Sequence, residues 1–126
     1  MNSKLNIMLA VVIGAAFGAV VTQGLHAQSK KAYSISELET LDAAAQAAYV
    51  PLVQTAQKAA GARVLNTAGG RVDAMVGTAP KRVAITEWDS MEKAQAFYNS
   101  KAWNDLAPQR DKSVRTIRRY VVEVLN

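Results

Sequence analysis

One continuous run, residues 83–103, places a strand, a marked helix start and an aromatic-bearing helical turn next to one another. Residues 82–88 are expected to form a strand in which Val83, Ile85 and Glu87 share one face. Asp89 followed three residues later by Glu92 has the spacing of a capping box, and Ser90 is an alternative cap. The run therefore predicts a strand that leads directly into a helix.

Periodicity assigns the earlier elements. Residues 32–37 alternate with a period of two, and residues 41–60 are rich in alanine with apolar residues at helical intervals. Asp42 or Thr40 is expected to cap this helix, and Pro51 is expected to kink or split it, because proline lacks an amide hydrogen. Gly61 then ends it.

The second half of the chain contains two short extended runs, residues 63–68 and 71–76. Gly69 and Gly70 between them indicate a bulge or bend in one long strand, or a hairpin. After the predicted strand at 82–88, a helix from Ser90 and an irregular helical stretch to Lys112 precede a last strand over residues 116–125.

The resulting order is strand, helix, strand, strand, helix, strand, which is that of the ferredoxin-like βαββαβ unit. This is an α+β fold with a four-stranded antiparallel sheet whose two helices cover one face. Apolar residues alternate onto both sides of the strands, so the other face also needs a partner surface.

A series of short motifs follows one order from Tyr33 to about Val124. The pieces are Tyr33-x-Ile35 with Glu37, Asp42 before a helix with Tyr49-Val50-Pro51, Gly61-Ala62-Arg63-Val64-Leu65, Gly69-Gly70-Arg71-Val72, Gly77, and the run from 83 to Arg110. Together they resemble the domain of unknown function 1330 family. Two departures are Ala62, where a second Gly is common, and Trp88, where Phe is usual. The resemblance implies a dimeric α+β barrel, in which two sheets pack face to face, and it implies no agreed activity.

The first 27 residues are organised as an export signal. An uncharged stretch over residues 7–21 ends close to Ala27, the small residue that a signal peptidase requires. At about 15 residues it is shorter than the roughly 20 needed to span a bilayer. We therefore expect a cleaved signal peptide and a single periplasmic or secreted domain, residues 28–126. The alternative is a membrane anchor formed by residues 5–22.

Composition excludes several kinds of chemistry. The chain has no cysteine, and its one histidine, His26, lies in the leader. The domain is therefore expected to hold no disulfide, no thiol or imidazole catalyst, no metal and no cofactor. The net charge of +5 is mild, and its concentration near the C-terminus is typical of a solvated strand edge, so nucleic acid is not an expected partner.

Two carboxylates are candidate site residues. Glu37 and Glu87 lie near the C-terminal ends of the first and third strands, which we expect to be parallel neighbours. Both carboxylates would then project from the same face and end of the sheet and could divide acid and base roles. In the alternative, each carboxylate pairs with an arginine, with Arg71, Arg110 and Arg119 available.

Arg110 is the best single candidate for binding an anionic group, because its planar fork can hold a carboxylate through two hydrogen bonds. An internal ion pair with Asp42, Glu87 or Asp111 is the alternative. Four aromatic residues could line a pocket near it or simply form the core: Tyr33, Tyr49, Tyr98 and Trp103.

Three functions remain open. The first is a small-molecule-binding protein of the cell envelope that forms a homodimer. The second is a cofactor-independent enzyme, similar to monooxygenases or isomerases on this fold, with Glu87 as base and Arg110 and Tyr98 orienting the substrate. The third is a structural or interaction domain in which these residues form internal ion pairs. A cavity beside Glu87 and Arg110 would favour the first two.

Overall fold

The structure, a computed structural model, describes residues 30–125. The predicted signal peptide and its cleavage site lie outside the described residues. Within residues 30–125, no helix combines the length and apolar character that crossing a bilayer demands.

Residues 30–125 form four strands and four helices. In chain order these are β1 Ala32–Thr40, α1 Ala43–Ala59, β2 Arg63–Val64, β3 Arg82–Trp88, α2 Met91–Tyr98, α3 Lys101–Asn104, α4 Ala107–Ser113 and β4 Val114–Glu123. The strands form one sheet in the order β2-β3-β1-β4, and each neighbouring pair is antiparallel. The predicted α+β, ferredoxin-like βαββαβ arrangement is confirmed.

The direction of β3 corrects the prediction for the two carboxylates. β1 and β3 are antiparallel, with Tyr33 opposite Glu87 and Glu37 opposite Val83. In this unit β3 inserts between β1 and β2, which run in one direction, so β3 must run in the other. Glu37 and Glu87 therefore share a face of the sheet but lie at opposite ends, and the expectation of one shared end is wrong.

The two longer helices begin at side-chain caps. The Asp42 carboxylate accepts a hydrogen bond from the Ala45 amide at 2.8 Å, as predicted. The Ser90 hydroxyl accepts one from the Lys93 amide at 3.2 Å. Asp89, the first expected cap of α2, instead forms an ion pair with Arg63.

Helix α1 is continuous through Pro51 and is not split there. The carbonyl that loses its amide partner belongs to residue 47, which is exposed, so water can satisfy it. Gly61, with φ of 87°, ends the helix in a left-handed conformation. The amide of Ala62 then reaches the carbonyl of Gln57 at 3.0 Å, which closes the last turn.

The segment after β2 does not form the predicted second extended run. β2 has only two residues, and residues 65–81 are irregular. Gly69, with φ of 73°, turns the chain, and the Gly70 amide donates to the Thr67 carbonyl at 3.1 Å. No extended run forms at 71–76, where Met75 and Val76 are 91% and 95% exposed and so have no surface to pack on.

The sheet has one covered face and one open face. Ala32, Ser34 and Ser36 point toward the helices and are at most 5% exposed. The residues between them in β1, Ile35 among them, point to the opposite face, which also carries apolar residues of the adjoining strands: Val83, Ile85, Tyr120 and Val122. We call this second surface the open face.

Candidate functional site

A cavity of about 110 Å³ lies between α1 and the covered face of the sheet. Much of its wall is apolar, with contributions from Leu38, Val53, Val64, Ala84 and Val114. A cavity of about 150 Å³ can hold benzene, so this smaller space limits the buried part of a ligand to about one small ring or a short chain.

The polar part of the wall is basic. Arg82 and Arg119 both line the cavity, and no aspartate or glutamate does. Neither arginine forms an ion pair within residues 30–125. Buried charges in proteins are normally paired, so an arginine without a carboxylate at a cavity is a candidate anion-binding group.

Arg119 reaches the cavity from β4. Its Nε donates to the Ser36 hydroxyl at 2.9 Å, and its Nη2 lies 3.4 Å from the Thr116 hydroxyl. The guanidinium carbon is 4.6 Å from the centre of the Trp103 ring and 5.3 Å from that of Tyr98. Burial lowers the pKa of Arg119 from its usual value, but an arginine side chain remains charged at physiological pH.

Arg110, the arginine favoured by the sequence, lies behind the cavity wall. Its guanidinium carbon is 3.9 Å from the centre of the Trp103 ring, and its Nη1 donates to the Trp103 carbonyl at 3.1 Å. It does not line the cavity. Within residues 30–125 it forms no ion pair with Asp42, Glu87 or Asp111, so the alternative internal pair is not formed.

Three of the four predicted aromatic residues meet at the cavity: Tyr49, Tyr98 and Trp103. The rings of Tyr98 and Trp103 pack edge to face at 4.9 Å between centres. Burial raises the pKa of Tyr49, and the positive charge of Arg110 opposes part of that shift. The aromatic residues thus hold Arg110 and Arg119 in place by stacking, and they also form part of the core.

A buried serine organises these rings. The Ser34 hydroxyl, 2% exposed, accepts hydrogen bonds from Trp88 Nε1 at 3.0 Å and from the Tyr98 hydroxyl at 2.9 Å. Trp88 is fully buried, so its indole N–H needs this partner. Ser34 is not predictable from the sequence, because a serine in an alternating strand gives no signal of which donors surround it.

Two glutamine side chains complete the polar wall. The Gln57 amide donates to the Thr86 hydroxyl at 3.2 Å. The Gln46 amide donates to Thr40 at 2.7 Å and accepts from Arg82 Nη1 at 2.7 Å. These hydrogen bonds hold the cavity-lining side chains of Gln46, Gln57 and Arg82 in one orientation.

The carboxylates predicted for the site lie on the open face. Glu37 accepts two hydrogen bonds from Arg118, at 2.8 and 2.6 Å. Glu87 pairs with Arg63 and also accepts a hydrogen bond from the Tyr33 hydroxyl at 3.0 Å. These arginines lower the pKa of both carboxyl groups. Each glutamate is therefore paired with an arginine, although neither partner is one of the three that the sequence suggested.

The structure thus separates the predicted site residues into two groups. Tyr49, Tyr98 and Trp103 line the cavity, with Arg110 directly behind them. Glu37, Glu87 and Tyr33 lie on the other side of the sheet. The cavity wall carries hydrogen-bond donors but no carboxylate, histidine or cysteine that could take up a proton, and in residues 30–125 no three such side chains cluster as metal ligands do.

Arg119 and Arg82 line the cavity although neither is among the residues predicted from the sequence to bind an anion. The sequence suggests Arg119 only as a partner for a glutamate. Strand alternation offered a signal, because Arg118 and Arg119 are adjacent and must face opposite sides of the sheet.

The fold and the site define an α+β domain of ferredoxin-like architecture with a basic, largely apolar cavity beneath its first helix. The family model described as a domain of unknown function, DUF1330, matches residues 31–125. The chain belongs to this family, as its motifs indicated. No curated protein matches it in sequence.

Two solved structures of one protein share the fold at low sequence identity. Two crystal structures of a protein of unknown function from Rhodopseudomonas palustris, one of them methylated, are each 16% identical with a TM-score of 0.60. They match 84% of this chain and 92% and 90% of their own chains. A structure from Chloroflexus aurantiacus, provisionally named an antibiotic biosynthesis monooxygenase, is 15% identical with a TM-score of 0.47, over 76% of this chain and 94% of its own.

Proposed function

We propose that this protein is an exported small-molecule-binding protein of the cell envelope that holds its ligand in the cavity between α1 and the sheet. The observation that carries the proposal is the cavity itself, which combines an apolar wall with a few fixed polar groups. Binding sites for small organic molecules have this composition, because apolar walls supply affinity and a few polar groups supply orientation.

Binding without catalysis fits the distribution of charged groups better than an enzyme does. The rival mechanism required Glu87 as a base beside Arg110 and Tyr98. Glu87 lies on the open face, where Arg63 and Tyr33 occupy its oxygens. The substrate-orienting groups and the base would therefore be on opposite sides of the sheet.

We further propose that the protein is a homodimer that packs two open faces together. Tyr120 and Val122 on this face are 47% and 44% exposed, next to Ile35 and Ile85 of the central strands. Covering such a surface removes apolar area from water, which stabilises the assembly. The export proposal rests on the N-terminal sequence pattern.

Native mass spectrometry of the protein purified from its source tests the binding proposal. The wild type is expected to carry a small-molecule mass. Ala84→Leu places a larger side chain in the cavity and should remove that mass, whereas Ala48→Leu, the same change on the exposed side of α1, should retain it. A wild type without any bound mass, or a bound mass that survives Ala84→Leu, would contradict the proposed function.

A further inference from the structure

The ligand class follows from the charges around the cavity. Arg82 and Arg119 are on its wall, Arg110 lies directly behind Trp103, and no acidic residue is on the wall. A positive cavity with low-dielectric walls favours an anion over a neutral molecule of the same shape.

Arg119 is held in place by hydrogen bonds and still has an N–H group that can bind a ligand. Its Nε and Nη2 are directed to Ser36 and Thr116, while Nη1 makes no hydrogen bond to residues 30–125. Among residues 30–125, every fully buried side-chain nitrogen or oxygen has a hydrogen-bond partner. Because Nη1 has none, it is not fully buried and is accessible to solvent. An accessible N–H group on an immobilised guanidinium is a preorganised hydrogen-bond donor.

Arg110 acts on this site through Trp103. Both guanidinium groups lie against the same indole ring, at 3.9 Å for Arg110 and 4.6 Å for Arg119. Their like charges repel, and the positive charge of Arg110 contributes to the lowered pKa of Arg119. A bound anion would relieve this repulsion. Arg110 is therefore a positioning residue, which holds Trp103 and adds to the positive potential.

The apolar part of the cavity limits the size and charge of the anion. Val53, Ala84 and Val114 provide space for a hydrocarbon body but no further charged donors. The other arginine of the wall, Arg82, already donates from Nη1 and Nε to the Gln46 side chain. A phosphate or a dicarboxylate would therefore leave part of its charge against the apolar residues without hydrogen bonds, which is costly. A single planar carboxylate on a short apolar body satisfies both parts of the wall.

We propose that the ligand is a small monocarboxylic acid, bound as its anion with the carboxylate at Arg119 and the apolar body among Val53, Ala84 and Val114. This inference rests on the proposed function, because it assigns a chemical class to the same cavity.

Isothermal titration at pH 7 with matched probes tests it. The probes are benzoate and butyrate, their neutral analogues benzamide and butyramide, and inorganic phosphate. We expect at least one carboxylate to bind wild type about tenfold or more tightly than its amide, the size of a typical charge-assisted hydrogen bond. Phosphate should bind more weakly than that carboxylate.

Arg119→Gln should abolish the preference for the carboxylate while leaving the affinity for the amide within about threefold. Arg115→Gln is the matched control, because Arg115 lies on the same strand, is exposed and pairs with Glu39 outside the cavity. This control should retain the preference. Circular dichroism melts of both variants establish that they are folded at the titration temperature.

Equal affinity for carboxylate and amide in wild type, a preference that survives Arg119→Gln, failure of both carboxylates to bind, or phosphate binding as tightly as the better carboxylate would each overturn the inference. These outcomes are separable from failure of the proposed function. A neutral molecule bound to wild type and displaced by Ala84→Leu would leave the binding function standing and defeat only the carboxylate assignment.

Discussion

Arg118 and Arg119 are consecutive residues of β4 whose guanidinium groups lie on opposite faces of the sheet. Arg118 forms two hydrogen bonds with Glu37 on the open face. Arg119 turns toward the helices, donates to Ser36 and has no carboxylate partner within residues 30–125. One arginine is therefore part of an ion pair, and the other is available to a ligand.

Acid should destabilise the fold through the paired carboxylates of the open face. Hydrogen bonds from Arg63 and Tyr33 lower the pKa of Glu87 below its ordinary value of 4.5. A lowered folded-state pKa gives stability that is present above pH 4.5 and is lost as the pH falls through the folded-state value. We expect urea melts between pH 7 and pH 3 to show a smaller loss of stability in Glu87→Gln than in wild type.

The control for this experiment is Glu92→Gln, at an exposed position of α2 without an ion pair among the described residues. Its stability should follow the wild-type dependence on pH. An equally steep loss in Glu87→Gln would mean that the Arg63–Glu87 pair does not stabilise the folded state.

Removing the Ser34 hydroxyl should weaken the fold and the wall of the cavity together. Ser34→Ala leaves the indole N–H of Trp88 and the hydroxyl of Tyr98 without their acceptor. We expect a loss of about 2 kcal/mol in unfolding free energy, because unsatisfied buried donors are costly. Denaturant melts measure it.

The double variant Ser34→Ala, Tyr98→Phe checks the cause of that loss. When the Tyr98 hydroxyl is already absent, Ser34→Ala leaves only the Trp88 indole N–H without an acceptor. The costs of the two single variants should therefore sum to more than the cost of the double variant. Strict additivity would show that Ser34 and Tyr98 do not stabilise one another.

The open face should mediate dimerisation. The chain lacking residues 1–27 is expected to sediment as a dimer at micromolar concentration, because the apolar residues of this face need cover. Ile35→Lys places a charge at the centre of the face and should produce a monomer, whereas Ala48→Lys on the exposed side of α1 should not. A wild-type monomer in analytical ultracentrifugation would contradict the barrel assembly.

The mature protein should begin at Gln28. The short apolar stretch and the small residue Ala27 predict cleavage between Ala27 and Gln28. N-terminal sequencing of the protein recovered from cells measures this directly. A mature chain that retains residues before Ala27 would instead favour the alternative, a membrane anchor formed by residues 5–22.

The fold could be predicted largely from local patterns in the sequence. The period of two indicates β1, and the caps at Asp42 and Ser90 indicate the helix starts, because these signals depend on neighbouring residues. The strand predicted at 71–76 was wrong because strand formation requires a partner, and the alternation of residues does not show whether a partner is present.

The site was less accessible to sequence reasoning, because its composition depends on the direction of strands and the positions of distant residues. The antiparallel pairing of β1 and β3 puts Glu37 and Glu87 at opposite ends of the sheet, and neither glutamate's own neighbours in the sequence reveal that direction. The planar guanidinium that made Arg110 a candidate is common to every arginine, and it is Arg119 that reaches the cavity. Tyr98 and Trp103 were found because aromatic residues at helical spacing signal a packed surface, whether core or pocket.

The central claim is that Arg119 is the carboxylate-binding group of a ligand-binding cavity. It can be tested at Arg119 itself by NMR of the arginine Nε–Hε groups during a titration with whichever of benzoate and butyrate binds more tightly. The account predicts that the Arg119 signal, assigned by its loss in Arg119→Gln, shifts and saturates. The Arg118 signal should stay in place, because its guanidinium is bound to Glu37 on the other face. An Arg119 signal that does not move, or arginine signals that all drift together without saturation, would contradict the account.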